Sequence, residues 1–176
     1  MPIKPFAAFA LTLFAGCPAL AQEVDSSRRN ELWLDTGFAT YHFEHDRNLN
    51  GRNPGIGVEY KFSDTMALTA GRFYNSDHQH SRYAGMFYQP WTLGGVKLGA
   101  VVGAFDGYPK MRDGGWFLAL IPAATFEYKR VGINVAAVPK FRDRLHAGIS
   151  VQLKFKLWES KTQATPATTA PSRHFP

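Results

Sequence analysis

The chain has 176 residues, 45% of them hydrophobic, a single cysteine and a formal net charge of +6. That length suits one domain, and one cysteine excludes a disulfide framework. The basic balance would suit nucleic acid, but the chain carries no helix-turn-helix, finger or recognition-sheet motif and begins with an export signal. Attraction to anionic lipid headgroups is the better expectation.

Residues 1–21 read as a cleaved export signal. Lys4 is its weak positive region, Phe6 to Ala15 its apolar core, and Ala19-Leu20-Ala21 a small-x-small cleavage site before Gln22. A rival reading takes Phe14-Ala15-Gly16-Cys17 as a lipoprotein box with Cys17 lipidated. If Cys17 leaves with the signal, the mature chain has no thiol chemistry. The apolar core is too short to cross a bilayer as a helix. No later stretch approaches the ~20 apolar residues such a helix needs.

From residue 31 onward the chain alternates apolar and polar residues with period two. Strands are expected over 31–43, 55–62, 66–76, 82–90, 96–107, 116–128, 131–141 and 145–157. The last is the clearest: Leu145, Ala147, Ile149, Val151, Leu153, Phe155 and Leu157 share one face, and His146, Gly148, Ser150, Gln152, Lys154 and Lys156 the other. Apolar-out, polar-in strands behind an export signal predict an all-β fold, an eight-stranded antiparallel transmembrane β-barrel of the bacterial outer membrane. It would occupy 22–158, with 159–176 a disordered Thr, Ala and Pro-rich tail. Connections after odd strands are mostly longer and polar; those after even strands, such as Lys129-Arg130, are tight. Long loops face outside in such barrels, and eight strands leave room for side chains or one small ligand but no pore. Trp33, Tyr41, Tyr88, Trp91, Tyr108, Trp116, Tyr128 and Trp158 lie near strand ends and read as interfacial girdles.

Three prolines interrupt the rhythm. Pro54 opens the second strand, Pro122 lies inside the sixth, and Pro139 lies near the outer end of the seventh. A proline removes a ladder donor, so Pro122 and Pro139 on neighbouring strands predict a weakened stretch of wall. The alternative is a tolerated bulge.

Several short motifs, taken in order, resemble the outer-membrane lipid A palmitoyltransferases. Leu118-Ala-Leu-Ile-Pro122-Ala-Ala-Thr-Phe and Val131-Gly-Ile-Asn-Val-Ala-Ala-Val-Pro139 look like that family's paired proline-bearing strands. Arg52-Asn53-Pro54-Gly55-Ile56-Gly57 resembles its second-strand proline and glycines, Thr40-Tyr41-His42 its aromatic-histidine step, Phe73-Tyr74-Asn75-Ser76 its serine step, and Tyr83-Ala84-Gly85 its strand-four glycine. The resemblance spans about 36–157. It implies acyl transfer from an outer-leaflet phospholipid donor to a lipid A acceptor by a monomeric barrel, with lipids passing through the wall at Pro54, Pro122 and Pro139. It carries over His42 and Ser76 as the essential pair and Gly85 as the residue that sets acyl length. Asn75, in the candidate catalytic set, stands where the family has an acidic residue and cannot act as a base; Asp77 follows. No cofactor and no metal are implied.

The residues themselves support part of this. His42 and Ser76 close two outward-running strands, and histidine is suited to proton transfer near neutral pH. A rim histidine and serine are equally common as plain polar loop-edge residues. In the first strand Leu32, Leu34 and Phe38 share the parity of His42, which turns His42 outward unless a bulge intervenes. His78-Gln79-His80 lacks a third metal ligand, and His146 reads as interior filling. Arg47, Arg52, Arg82, Lys110, Arg112, Arg142 and Arg144 gather toward the external side, either to bind phosphate or to keep the rim soluble. A lipid A deacylase would need a His-x-Ser triplet, which does not occur. The remaining alternative is a non-catalytic barrel with a structural or lipid- or host-binding role.

Overall fold

The computed structural model describes residues 29–44, 48–142 and 144–161. The expected signal, the lipoprotein box at Cys17, Arg47 and the tail beyond 161 lie outside these. Eight strands follow one another around a closed barrel: β1 (Arg29–His42), β2 (Arg52–Lys61), β3 (Met66–Tyr74), β4 (His80–Leu93), β5 (Val96–Phe105), β6 (Phe117–Tyr128), β7 (Val131–Val138) and β8 (Gly148–Lys161). Each pairs antiparallel with its neighbours, and β8 closes on β1 from Arg29↔Lys161 up to His42↔Gly148. Closure gives every strand a neighbour on both sides, the condition for spanning a bilayer with strands.

All eight expected strands are present, with shifted ends. β2 starts at Arg52, so Pro54 lies within it rather than opening it. β3 ends at Tyr74 and β7 at Val138, leaving Ser76 in a turn and Pro139 just past its strand. β8 starts at Gly148 and runs to Lys161, taking Glu159 and Ser160 from the expected tail, because β1 offers them backbone partners at Glu31 and Asn30. The connections between β1 and β2, β5 and β6, and β7 and β8 are the long ones; a single 3-10 turn, Arg112–Gly114, sits in the second. β4 to β5 and β6 to β7 turn tightly, at Gly94-Gly95 and Lys129-Arg130.

The barrel is apolar outside, while its interior is polar in the half with the short turns and mostly apolar in the other. Leu118 on the outer wall is 80% exposed, and Leu68, Val102, Leu120, Leu153 and Phe155 also face outward. Inside, the short-turn half is filled by an ion-pair network. Lys154, fully buried, bonds Glu59 at 2.6 Å and Glu127 at 2.8 Å. Lys61 and Lys97 each reach Glu127 at 3.0 Å, and Lys156 reaches Glu31 at 2.7 Å. Asn134 ties Glu59 to Thr125, and Thr125 in turn holds Gln89. Pairing and hydrogen bonding offset the desolvation of these charges.

Two expected girdle residues belong to the interior instead. Trp33 is completely buried; its Nε1 donates to Glu31 at 2.9 Å, and Lys154 and Lys156 lie 4.7 and 5.0 Å from its ring centre. Tyr108 lines the cavity at the other end. Tyr41, Tyr88, Trp91, Trp116, Tyr128 and Trp158 do face outward.

Candidate active site at the mouth of an apolar well

Above the polar plug the barrel opens into a cavity of about 110 Å³, walled by Phe38, Phe73, Phe87, Val101, Phe117 and Ile121, with His42 and Ser76 at its mouth. That is several times the ~10–15 Å³ one water requires. The aromatic lining interlocks: Phe38 meets Phe73 edge-on at 5.0 Å, Tyr83 stacks on Phe105 at 6.2 Å, and Tyr108 meets Phe117 edge-on at 5.7 Å. The end with the short turns is sealed, so the cavity is a blind well and not a channel.

A bulge decides how His42 points. Below it, Glu31, Trp33 and Asp35 are the inward residues of β1. The register then slips between Thr36 and Phe38 against β2, and between Asp35 and Phe38 against β8. One extra residue reverses parity in a two-residue repeat. Phe38, Thr40 and His42 therefore line the well, although strict alternation from Leu32 would have turned them to lipid. Gly37 permits the bulge. A Cβ there would press on the backbone of Asn53 and Gly55 and lie 2.6 Å from the carbonyl carbon of Pro54.

Turned inward, His42 Nε2 lies 2.9 Å from Ser76 Oγ. The turn between β3 and β4 presents Ser76, and Asn75 builds that turn. Fully buried, Asn75 accepts from the backbone N–H groups of Asp77 and Gln79, each at 2.9 Å, and its Nδ2 donates to Ser81 Oγ and Gly107 O, each at 2.8 Å. The Asn75 side chain therefore faces away from the pair. Of the three candidate catalytic residues, His42 and Ser76 are brought together, and Asn75 is a structural residue of the turn.

Other positioning residues carried no signal in the sequence. The Asn50 N–H donates to Ser76 O at 3.0 Å. Asn53 Nδ2 donates to Tyr74 O at 2.9 Å, and Thr40 Oγ1 donates to Asn53 Oδ1 at 2.8 Å. These amides act across strands, so no spacing reveals them. On the far side of the mouth, Lys140 at 2.5 Å and His146 at 2.9 Å hold the Glu44 carboxylate and pull its pKa down to about 2. His146 is buried, as expected, but in the loop before β8. Burial, with the nearby Asp77 carboxylate, pushes the Tyr108 phenol up. His78 Nε2 bonds Asn48 O at 3.2 Å, and the His78 and His80 rings both meet Tyr74 edge-on.

The wall is incomplete where the prolines lie. The β6–β7 ladder rises from Tyr128↔Val131 and stops at Ala123↔Ala136, one residue short of Pro122. On either side pairing continues to the rim, at Phe105↔Phe117 and Val138↔Gly148. Pro122 keeps its place opposite Ala100. The outer part of the β6–β7 seam thus has no ladder. Pro54 lies in a second interruption: the β1–β2 register jumps from Thr36↔Ile56 to Phe38↔Asn53, and the β2–β3 ladder begins only at Gly55↔Phe73. Gly85 is on the inner face between Tyr83 and Phe87, opposite Gly103 of β5. A Cβ there would lie 2.7 Å from Val102 O and 2.9 Å from Gly103 Cα.

No protein-family model matches the chain, and no curated protein matches it. A solved structure that does match is the solution NMR structure of the de novo designed TMB2.3. It aligns with a TM-score of 0.50 and 12% identity over 75% of this chain and 95% of the designed one. The likeness is one of fold. A closed barrel of this kind is consistent with the apolar outer wall and carries no information about chemistry.

Proposed function

We propose that this barrel is an outer-membrane lipid A acyltransferase, which moves a palmitoyl-type chain from a phospholipid to lipid A in the outer leaflet. The observation that carries the proposal is the hydrogen-bonded His42–Ser76 pair at the mouth of a blind apolar well. The well suits an acyl chain, and the pair suits the ester at its end. The unladdered β6–β7 seam offers such a chain a sideways path from the membrane. In the proposed reaction His42 takes the proton from a lipid A hydroxyl as its oxygen attacks the phospholipid ester carbon. The ester C–O bond then breaks, and the proton passes to the departing glycerol oxygen. Ser76 holds the imidazole in position. Gly85 does not itself line the well but lies between Tyr83 and Phe87, which do, and in the proposed complex the chain end rests against that stretch of β4. The export signal and the apolar wall support an outer-membrane location.

Mass spectrometry of lipid A from cells with and without the protein tests this reading. An added acyl chain of fixed mass is expected, lost in His42→Ala and Ser76→Ala while the barrel still folds. No added chain under inducing conditions would sink it. The second reading, a non-catalytic barrel with a structural or lipid- or host-binding role, is favoured by Asn75, whose amide occupies the position of the family's acidic residue and is spent on the turn. It expects unaltered lipid A.

A further inference from the structure

The outer wall carries a feature that the well does not use. On β3 and β4, Arg72 and Arg82 are direct cross-strand partners, and both are exposed on the outward face. Like charges placed directly opposite disfavour pairing, and the next residue of the row on β2, Ile56, is apolar. Arg82 is fixed: its guanidinium lies 2.6 Å from Asp106, its backbone N–H also bonds that carboxylate, and it sits 5.3 Å over the Trp116 ring. Its side chain nevertheless stays 70% exposed. Arg72 has no ion pair among the described residues. Of the two guanidinium groups, only that of Arg82 has a carboxylate partner among the described residues.

The level in the membrane is set by the surroundings. Arg72 is two residues from the end of β3, about 7 Å below it at the strand rise. Trp116, exposed, directly precedes β6. Exposed Trp and Tyr mark the headgroup level. The next outward row toward the membrane centre reads Val58, Ala70, Ala84, Ala104 and Leu118 in successive strands. Directly under the arginines the wall is therefore apolar, low in the middle and raised at its sides.

We infer that Arg72 and Arg82 form an external binding site for the phosphate of an outer-leaflet lipid, whose acyl chains lie on the wall below. Paired guanidinium groups supply forked donors to phosphate oxygens, and a bound phosphate would remove the repulsion between them. The site is on the outside of β3 and β4, apart from the well, and stands whether or not the barrel transfers acyl groups.

Native mass spectrometry of the full mature chain, refolded in neutral detergent, tests this. The probes are phosphatidic acid, diacylglycerol with the same chains, and inorganic phosphate. Phosphatidic acid should be retained at one copy, diacylglycerol should not, and inorganic phosphate should compete poorly. Arg72→Gln, which leaves the Arg82–Asp106 pair intact, should weaken retention about tenfold or more, the worth of a charged hydrogen bond. Arg72→Lys should recover only part, because it lacks the fork. Unchanged retention in a folded Arg72→Gln barrel would overturn the site. Equal retention of diacylglycerol, or full competition by inorganic phosphate, would overturn its assignment to a lipid phosphate.

Discussion

Gly37→Ala is the smallest change that probes how the site is built. A single methyl would press on the backbone of Asn53 and Gly55 and meet the Pro54 carbonyl carbon at 2.6 Å. All three are main-chain atoms, so no side-chain rotation relieves the clash. Either β1 and β2 part, or the bulge moves. Overpacking of this kind costs about 1–3 kcal/mol, which at a urea dependence of about 1–3 kcal/mol per molar shifts the unfolding midpoint by about 1 M. The buried Trp33, on the same strand, gives a fluorescence signal for that measurement. A displaced bulge would also return His42 to the parity of Leu34 and break its bond to Ser76, so acyl transfer should fall in whatever fraction stays folded. Gly103→Ala is the control, because its nearest neighbours lie at 3.2 Å and include the flexible edge of Phe105. A Gly37→Ala barrel with wild-type stability and wild-type activity would show that the bulge does not orient His42.

Four further outcomes are expected. Asn75→Asp restores the acidic residue of the resembled family but sets a carboxylate oxygen against Gly107 O and removes the donor to Ser81. It should lower stability by about 1–3 kcal/mol in chemical denaturation without raising activity, and a stable, more active variant would contradict the turn role. Lys154→Met strands Glu59 inside the barrel and should cost about 3–5 kcal/mol; an unaltered denaturant midpoint would show that the plug is not held by that charge. Gly85→Met should shorten the transferred chain as read by lipid A mass, at some loss of stability since its Cβ meets backbone, and an unchanged length removes Gly85 from the pocket. Because the Glu44 pKa is depressed to about 2 from 4.5, its contact with Lys140 and His146 contributes fully above pH 4.5 and is lost as pH falls from there through 2. Protease cleavage of the β7–β8 loop should rise over that range in the wild type and be insensitive to it in Glu44→Gln.

Much of the fold was legible because a barrel wall has one solvent on each face. Every strand with lipid outside and polar groups inside must alternate, so β8 could be read from Ile149 to Leu157 without a partner. The prolines were legible for a similar local reason: a missing N–H removes one ladder donor on the side it faces, and the β6–β7 seam does stop just short of Pro122 while the β5–β6 ladder runs past it. Trp33 and Tyr108 were misplaced because a strand-end aromatic has the same local sequence whether it faces the girdle or the interior.

The sequence by itself determined the alternation, the strand order and the places where pairing must fail, since these depend on single residues and period. Only the tertiary structure decided which way His42 faces. One extra residue at Gly37 reverses every side chain beyond it, and whether that residue is accommodated depends on the backbone of Asn53, Pro54 and Gly55 across the β1–β2 seam. The meeting of His42 with Ser76, and of Arg72 with Arg82, is likewise a matter of register between strands, fixed by barrel closure and invisible along the chain.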